Sequence, residues 1–413
     1  MRPIRVLSLF DGMSCGQIAL RELRVPIERY YASEVDKFAI QQTQLNFPET
    51  VQIGDVRNVD VDRLCEEGEI DLLLAGFPCT DLSLAGKRKG MATTTKEKVT
   101  SLSQYLDLRD AGFEFAGQSY LFWEFVRIFK RLRERNPKLL FLLENVEVGK
   151  EWEAVISNTL GLKGVHINAA LVSAQNRKRI YWSNVRVREE GMFGWRYTDI
   201  PQPEDRHIFL KDILESEVDE KYYLKDEVVQ KLLEHKERHK EAGHGFGAVF
   251  HDNDGKMGAV KVGGGSVVDN LIKGPVCVAM RGRNPENPSS RNEGVKTVQM
   301  LEPAEEGKTN YLTTVAKDNL ILTNNHLQKN LTDVDSKANA FLATSHKGAW
   351  ANGMTLVEKG YRIRRITPTE AARLQTIPEC YHWTCSETQQ YRLLGNGWCV
   401  EVIKHILSFM NIE

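Results

Sequence analysis

Net charge is almost absent from this chain: 55 Lys and Arg stand against 56 Asp and Glu, for a formal charge of -1. That excludes a uniformly basic coat for nucleic acid, but not local patches. Cysteine is sparse too. Its seven copies are an odd number, scattered and without a C-x-x-C pair. A disulfide framework or a Cys-rich zinc site is therefore poorly supported, no metal is expected, and a reducing compartment fits better. Long apolar runs are missing as well. Val6 to Phe10 is too short for a signal peptide or a membrane span, and no other stretch approaches spanning length. These absences point to a cytoplasmic protein with no membrane partner. What the 413 residues do hold is 41% apolar side chains, enough for a sizeable core and for one large domain plus a smaller one.

Up to about residue 185, short apolar runs alternate with helical patterns. Ile4 to Phe10, Tyr30 to Ser33, Val51 to Val56, Ile70 to Phe77, Leu139 to Leu143 and Ile180 to Ser183 read as strands. Gln17 to Glu22, Lys37 to Asn46 and Leu121 to Leu132 read as helices. The last of these carries Leu121, Phe122, Phe125, Ile128, Phe129 and Leu132 on one face, and Asn136-Pro137 stops it. Such alternation predicts an α/β fold with a doubly wound, mostly parallel sheet. After about Arg186 comes a charged helix over Tyr222 to Lys240, then glycines, short alternating strands and Asn/Pro/Ser turns. Helical patterning returns from about Arg362 and ends with Val400 to Met410. The predicted plan is a first domain over 1–185, a smaller β-rich domain over 186–361, and a segment over 362–413 that packs back on the first.

Three features fall at successive strand ends. Phe10-Asp11-Gly12-Met13-Ser14-Cys15-Gly16 runs from a strand through a glycine-bearing turn into a helix, a place where backbone approaches a ligand. It is not G-x-G-x-x-G, and alone it fits an ordinary strand-to-helix turn equally well. Glu34 ends the next strand, where an acid commonly accepts from ribose hydroxyls, and Gly54-Asp55-Val56 ends the third. Together they favour an adenosine-bearing cofactor.

Three further features carry chemistry. Pro78-Cys79 follows a buried strand and precedes the basic loop Gly86-Lys87-Arg88-Lys89-Gly90, whose cations favour a thiolate. Glu144-Asn145-Val146 ends an all-apolar strand, so Glu144 is poorly solvated and suited to donate as well as accept a proton. Gln175-Asn176-Arg177-Lys178-Arg179 puts two guanidiniums on one side of an extended segment, fit for a phosphate or a carbonyl oxygen. His235 and His239 lie one helical turn apart among lysines and glutamates and read as a solvated helix rather than a metal pair.

These blocks resemble, in order, those of the DNA (cytosine-5)-methyltransferase family, bacterial and phage type. Arg365 to Gln375 resembles its ninth block, and Leu394-Gly395-Asn396-Gly397-Trp398-Cys399-Val400 its tenth. The resemblance covers the first 185 residues and the last 50 or so. It implies a Rossmann-like methyltransferase fold with a β-rich target-recognition domain in the middle, where Arg281, Arg283, Arg291, Lys261, Lys296 and Lys317 are available to phosphates or bases. It further implies S-adenosyl-L-methionine as cofactor, held by Phe10, Asp11, Gly12, Ser14, Cys15, Gly16, Glu34, Val35, Asp55, Val56, Pro78, Asn396 and Trp398. Cys79, Glu144, Arg177 and Arg179 would be catalytic, and Ser83, Lys87, Arg88 and Gln175 would meet double-stranded DNA. The chemistry implied is addition of a Cys79 thiolate to C6 of a flipped-out cytosine, with methylation at C5.

Two departures stand out: Thr80 replaces the usual glutamine after the cysteine, and Ser14-Cys15-Gly16 is a variant glycine turn. The segment Met91 to Gly117 is long, and part of it is expected to be a loop near DNA. A monomer is expected. A cognate restriction endonuclease sharing the site stays open, as do the bacterial or phage setting and two alternatives: an RNA (tRNA) cytosine-5 methyltransferase and an inactive DNA-binding relative. An oxidoreductase would explain the glycine turn and Glu34 but leaves the Pro-Cys, Glu-Asn-Val and Gln-x-Arg-x-Arg blocks without a task.

Overall fold

The computed structural model describes residues 2–78, 91–95, 97–191, 194–209, 212–213, 215, 218–222, 276–283, 298–303, 309–310, 320–323, 362–365 and 367–411. The chain divides into two units, Met1–Ile208 with Tyr311–Thr314 and Ala372–Glu413, and Phe209–Asn310 with Val315–Ala371.

In the first unit, β1 (Ile4–Leu9) is buried at every position, as a strand covered on both faces must be. It is followed by α1 (Cys15–Glu22), β2 (Ile27–Ser33) and α2 (Lys37–Asn46). The start of α2 is set by Asp36, whose side chain accepts from the Phe38 N–H. β3 (Val51–Gln52) is much shorter than the strand expected over Val51 to Val56. Gly54 turns the chain at φ +76° and Asp55 caps a 3-10 turn over Val56–Asn58, which ends strand pairing early. Next come α3 (Val61–Leu64) and the fully buried β4 (Leu72–Ala75).

Within the segment expected to be partly a loop, β5 (Ala92–Thr93) pairs with β6 (Phe115–Ala116), and α4 (Leu102–Asp110), capped by Ser101, lies between them with turns on either side. Then follow α5 (Phe122–Arg135), β7 (Leu140–Val146), α6 (Lys150–Leu160), β8 (Val165–Asn168), β9 (Gln175–Asn176) and β10 (Lys178–Ser183). A hairpin of β11 (Val187–Glu190) and β12 (Trp195–Thr198) closes this stretch.

Seven strands form one sheet in the order β3-β2-β1-β4-β7-β10-β8. All run parallel except β10, which is antiparallel to both of its neighbours. This is the doubly wound, mostly parallel α/β sheet that the alternation predicts. Much of the core lies between the sheet and α5, which buries Phe122, Phe125, Val126, Phe129 and Leu132 along one stripe. Each such side chain stabilises the fold by about 1.5–3 kcal/mol. At the end of the chain α9 (Val400–Leu407, after α7 and α8 below) packs on α1 and buries Val400, Ile403, Ile406 and Leu407.

The described residues of the second unit are mostly in β-strands. Its described strands are β13 (Val276–Arg283), β14 (Val298–Pro303), β15 (Thr309–Asn310), β16 (Leu320–Thr323) and β17 (Arg362–Arg365). Four of them pair antiparallel in the order β14-β13-β16-β17. Helix α7 (Pro368–Leu374) follows, and later α8 (Glu387–Asn396) in the first unit. Of the helix expected over Tyr222 to Lys240, only Tyr222 is described, at the end of a 3-10 turn.

Candidate active site

β1 sends its connection to β2 on one side, while β4, its other neighbour, leads on to β7, so the sheet order reverses between β1 and β4. Ligands of doubly wound sheets sit beyond the carboxyl ends of the strands at such a point. A crevice of about 660 Å³ opens there, within the range of roughly 300–1,000 Å³ of small-molecule sites. One end is lined by Phe10, Gly12, Glu34, Val35, Asp55 and Val56, and the other by Pro78, Glu144, Arg177 and Arg179, with Asn396 from α8 also on its wall. Eleven of the residues expected at the site thus share one cavity.

The turn after β1 departs from the usual backbone. Phe10, Gly12 and Ser14 all adopt left-handed conformations, at φ +58°, +58° and +64°. For non-glycine residues this costs of order 1–3 kcal/mol each and is tolerated where surroundings hold it. The holding group is Glu34. Its carboxylate accepts from the Gly12 N–H at 2.8 Å and from the Val35 and Asp36 N–H groups at 2.7 and 2.9 Å. Asp55 is paired with Arg57, whose side-chain hydrogen bond holds the Asp55 carboxyl below the usual carboxylate range.

Other expected cofactor residues stand behind the wall. Asp11 accepts from the Tyr30 hydroxyl at 2.8 Å and from the Ser14 hydroxyl, and burial pushes its carboxyl up to about 6 against those hydrogen bonds. Cys15 is buried, and burial pushes its thiol up to about 12. Gly16 leaves room for β4: a Cβ there would stand 2.6 Å from Leu74 Cδ1. Trp398 packs on Gly76, where a Cβ would come within 2.8 Å of its Nε1. None of these five lines the crevice; they support the residues that do.

At the other end Glu144 follows the apolar run in β7, and Arg179 comes from β10 beside it. Arg179 Nε lies 3.0 Å from Glu144 Oε1, with the two side chains 9% and 11% exposed. Arg177 donates to the Gly397 carbonyl at 2.7 Å, and burial, then the Arg179 charge, lowers its pKa to about 10. Gln175, expected at the DNA, is wholly buried instead. Its amide donates to the Leu374 carbonyl and, at 2.8 Å, to Gln375 Oε1, because β9 runs beneath the segment after α7 rather than along a surface. Cys79, Ser83, Lys87 and Arg88 lie outside the described residues, as do Arg291, Lys261, Lys296 and Lys317; Arg281 and Arg283 lie on β13.

Ser119 was not singled out by the sequence, and Asn145 was named there only as part of the Glu-Asn-Val block, without a role. Asn145 Nδ2 donates to the Phe77 carbonyl at 3.1 Å, and Ser119 Oγ to the Pro78 carbonyl at 3.0 Å. The two carbonyls immediately before Cys79 are thus both held by side chains. Tyr120 and Leu121 also line the crevice. Among the described residues, no group of three or more His, Cys, Asp or Glu could hold a metal ion, and no helix is long and apolar enough to cross a membrane.

Comparison with known proteins places this geometry in a family. The model of C-5 cytosine-specific DNA methylases matches residues 4–411, and the chain belongs to that family. The family uses S-adenosylmethionine, and methyl transfer to C5 of cytosine is accordingly the class of reaction this protein performs. The orphan methyltransferase M.SPRI of Bacillus phage SPR is 26% identical, over 99% of this chain and 97% of its own. The Type II methyltransferase M.NlaX of Neisseria lactamica is 24% identical over 98% and 96%. The solved structure of a Spodoptera frugiperda DNMT2 mutant, 16% identical, superposes with a TM-score of 0.53 over 98% of this chain and 99% of that one, a likeness of fold.

Proposed function

We propose that the protein methylates C5 of a cytosine flipped out of double-stranded DNA, through a covalent bond from Cys79 to C6. The observation that carries this reading is the single crevice that gathers Pro78, the covalent neighbour of Cys79, with the Glu144–Arg179 pair and with Glu34 and Asp55. The other thiols suit the task less. Cys15 and Cys399 are buried, and burial raises the pKa of each, which disfavours the thiolate.

The crevice fits S-adenosylmethionine: Phe10, Val35 and Val56 offer apolar surface to an adenine, and Glu34 and Asp55 offer carboxylates to ribose and amino hydrogens. When bound, it supplies an electrophilic sulfonium methyl group. Cys79 forms a bond to C6 as a thiolate. Glu144 hydrogen-bonds N3 and the exocyclic amine, which draws electron density from the ring and makes C5 an enamine-like nucleophile. Arg179 fixes the Glu144 carboxyl, and Arg177, anchored on the Gly397 carbonyl, stands beside it for the base carbonyl oxygen. After methyl transfer the C5 proton leaves to a base, the C6–S bond breaks, and the thiolate is regenerated with aromaticity restored. A base stacked in a duplex cannot reach a crevice of this depth, so it must be flipped out.

The family description and the orphan and Type II methyltransferases among the relatives support DNA as substrate. So does the second unit, whose described residues are mostly in β-strands, as target-recognition domain. The test is label transfer from tritiated methyl donor to duplex DNA and to tRNA in parallel, with bisulfite sequencing of DNA from expressing cells. Duplex labelling at a fixed cytosine is expected; labelling of tRNA alone would overturn the DNA reading. With 5-fluorocytosine at the target, an adduct is expected on Cys79, and one mapped to Cys15 or Cys399 would overturn the choice of thiol.

A further inference from the structure

Among the described residues, Glu124 on α5 is a charged group outside the reaction scheme with 0% exposure. Its partners link two parts of the chain. From the excursion between β4 and α5, the Tyr105 hydroxyl donates to Oε1 at 2.7 Å. On the other side Arg127 Nε donates to Oε2 at 2.6 Å, and the same guanidinium donates to the carbonyls of Val59 at 3.2 Å and Val56 at 3.4 Å. Those carbonyls belong to the first residue of the 3-10 turn that follows Asp55 and to the residue that caps its end. One carboxylate therefore ties α4 to the turn that forms the Asp55 end of the crevice.

An aromatic column continues from the same helix. Tyr105 packs on Phe115 with ring centroids 5.1 Å apart, and Phe115 stacks on Tyr120 at 4.6 Å with an interplanar angle of 22°. Tyr120 then lines the crevice beside Asp55, Val56 and Arg57. Tyr105 and Met91 are fully buried and Phe115 is half-buried, so the column is fixed from behind.

We propose that residues 91–121 belong to the cofactor apparatus: Tyr120 is a binding residue for the adenosine part, and Phe115, Tyr105 and Glu124 are positioning residues that hold it and the Val56 turn. This rests on the reading of the crevice as the S-adenosylmethionine site and adds to it the residues that set its nucleoside affinity. The ring of Tyr120 offers a nucleoside the same stacking face that Phe115 offers to Tyr120.

Isothermal titration of the full chain with S-adenosylhomocysteine tests it, alongside duplex-DNA affinity by gel shift and the KM and kcat for S-adenosylmethionine. Tyr120→Ala should weaken S-adenosylhomocysteine by about tenfold and Phe115→Ala by about two- to fivefold, the range of one lost aromatic contact. KM should rise with single-turnover kcat and DNA affinity unchanged, and Tyr120→Phe should restore binding. Phe115→Leu, which retains an apolar filler, replaces Phe115→Ala if the latter melts early. Unchanged S-adenosylhomocysteine affinity in Tyr120→Ala overturns the proposal, and weakened DNA binding in its place assigns the segment to the duplex. A wild-type chain that gives no saturable heat with S-adenosylhomocysteine removes the cofactor reading itself, a failure distinct from either.

Discussion

Replacing Glu144 by glutamine keeps the length and planarity of the side chain and removes its charge and its exchangeable acid proton. The structure allows the consequence to be divided. The glutamine carbonyl can still accept from Arg179 Nε, now 3.0 Å from Glu144 Oε1, so the pair is not left empty. Breaking a buried ion pair outright costs about 3–5 kcal/mol. A retained but neutral hydrogen bond reduces that to roughly 1–3 kcal/mol. The chemical loss should be larger. A positioned acid contributes about 10²–10⁴ in rate, or about 2.7–5.5 kcal/mol at 1.36 kcal/mol per tenfold. Single-turnover methyl transfer by rapid quench, with enzyme in excess over duplex, isolates this step, and a chemical denaturation curve reports the stability term separately. Glu144→Gln should slow transfer by two to four orders of magnitude while remaining folded and binding S-adenosylhomocysteine as the parent does. A rate within about threefold of the parent would refute the acid role.

Cys79→Ala should abolish turnover and retain S-adenosylhomocysteine binding, measured by the same quench and by calorimetry; residual methylation at the parental rate would defeat the covalent scheme. Gly16→Ala should destabilise the protein by about 1–3 kcal/mol in urea, since its Cβ would stand 2.6 Å from Leu74 Cδ1; an unchanged midpoint would contradict the close packing of α1 on β4. Asp11, raised from 3.8 to about 6, should contribute stability that is full below about pH 4 and is lost as pH rises through 6. Asp11→Asn lacks that loss, so its melting temperature should gain on the parent between pH 4 and 7, and parallel curves would show that the carboxyl is not raised.

The parts of the fold legible in the sequence are those set by local pattern. Leu72 to Ala75 is a continuous apolar run, Ile4 to Leu9 is apolar at four of its six positions, and both became central strands. Asp36 caps α2, which spans Lys37–Asn46 as read. Phe10, Glu34, Asp55, Pro78 and Glu144 could be brought together because each lies near or just beyond the carboxyl end of a strand, and parallel strands end on one side of a sheet. What depended on distant partners was not legible. Ser119 meets the Pro78 carbonyl across 41 positions, and Gln175 meets Leu374 across 199. Nothing in the composition of Phe10 or Ser14 announces a left-handed backbone, which Glu34 stabilises from another strand end. α4 was missed because its apolar positions form only a weak stripe, with Tyr105 the one buried residue among its nine.

The single reversed strand has a geometric consequence. Arg179 in β10 faces Val146 at the close of β7, while Ser183 faces Leu142. Had β10 run with its neighbours, its opening residues would emerge on the far rim, about 20 Å away for six residues. Inverting one strand delivers two cations from the beginning of a segment to the rim where every other strand delivers its last residue. One rim of the sheet can then present acidic acceptors and basic donors together without any of them crossing it.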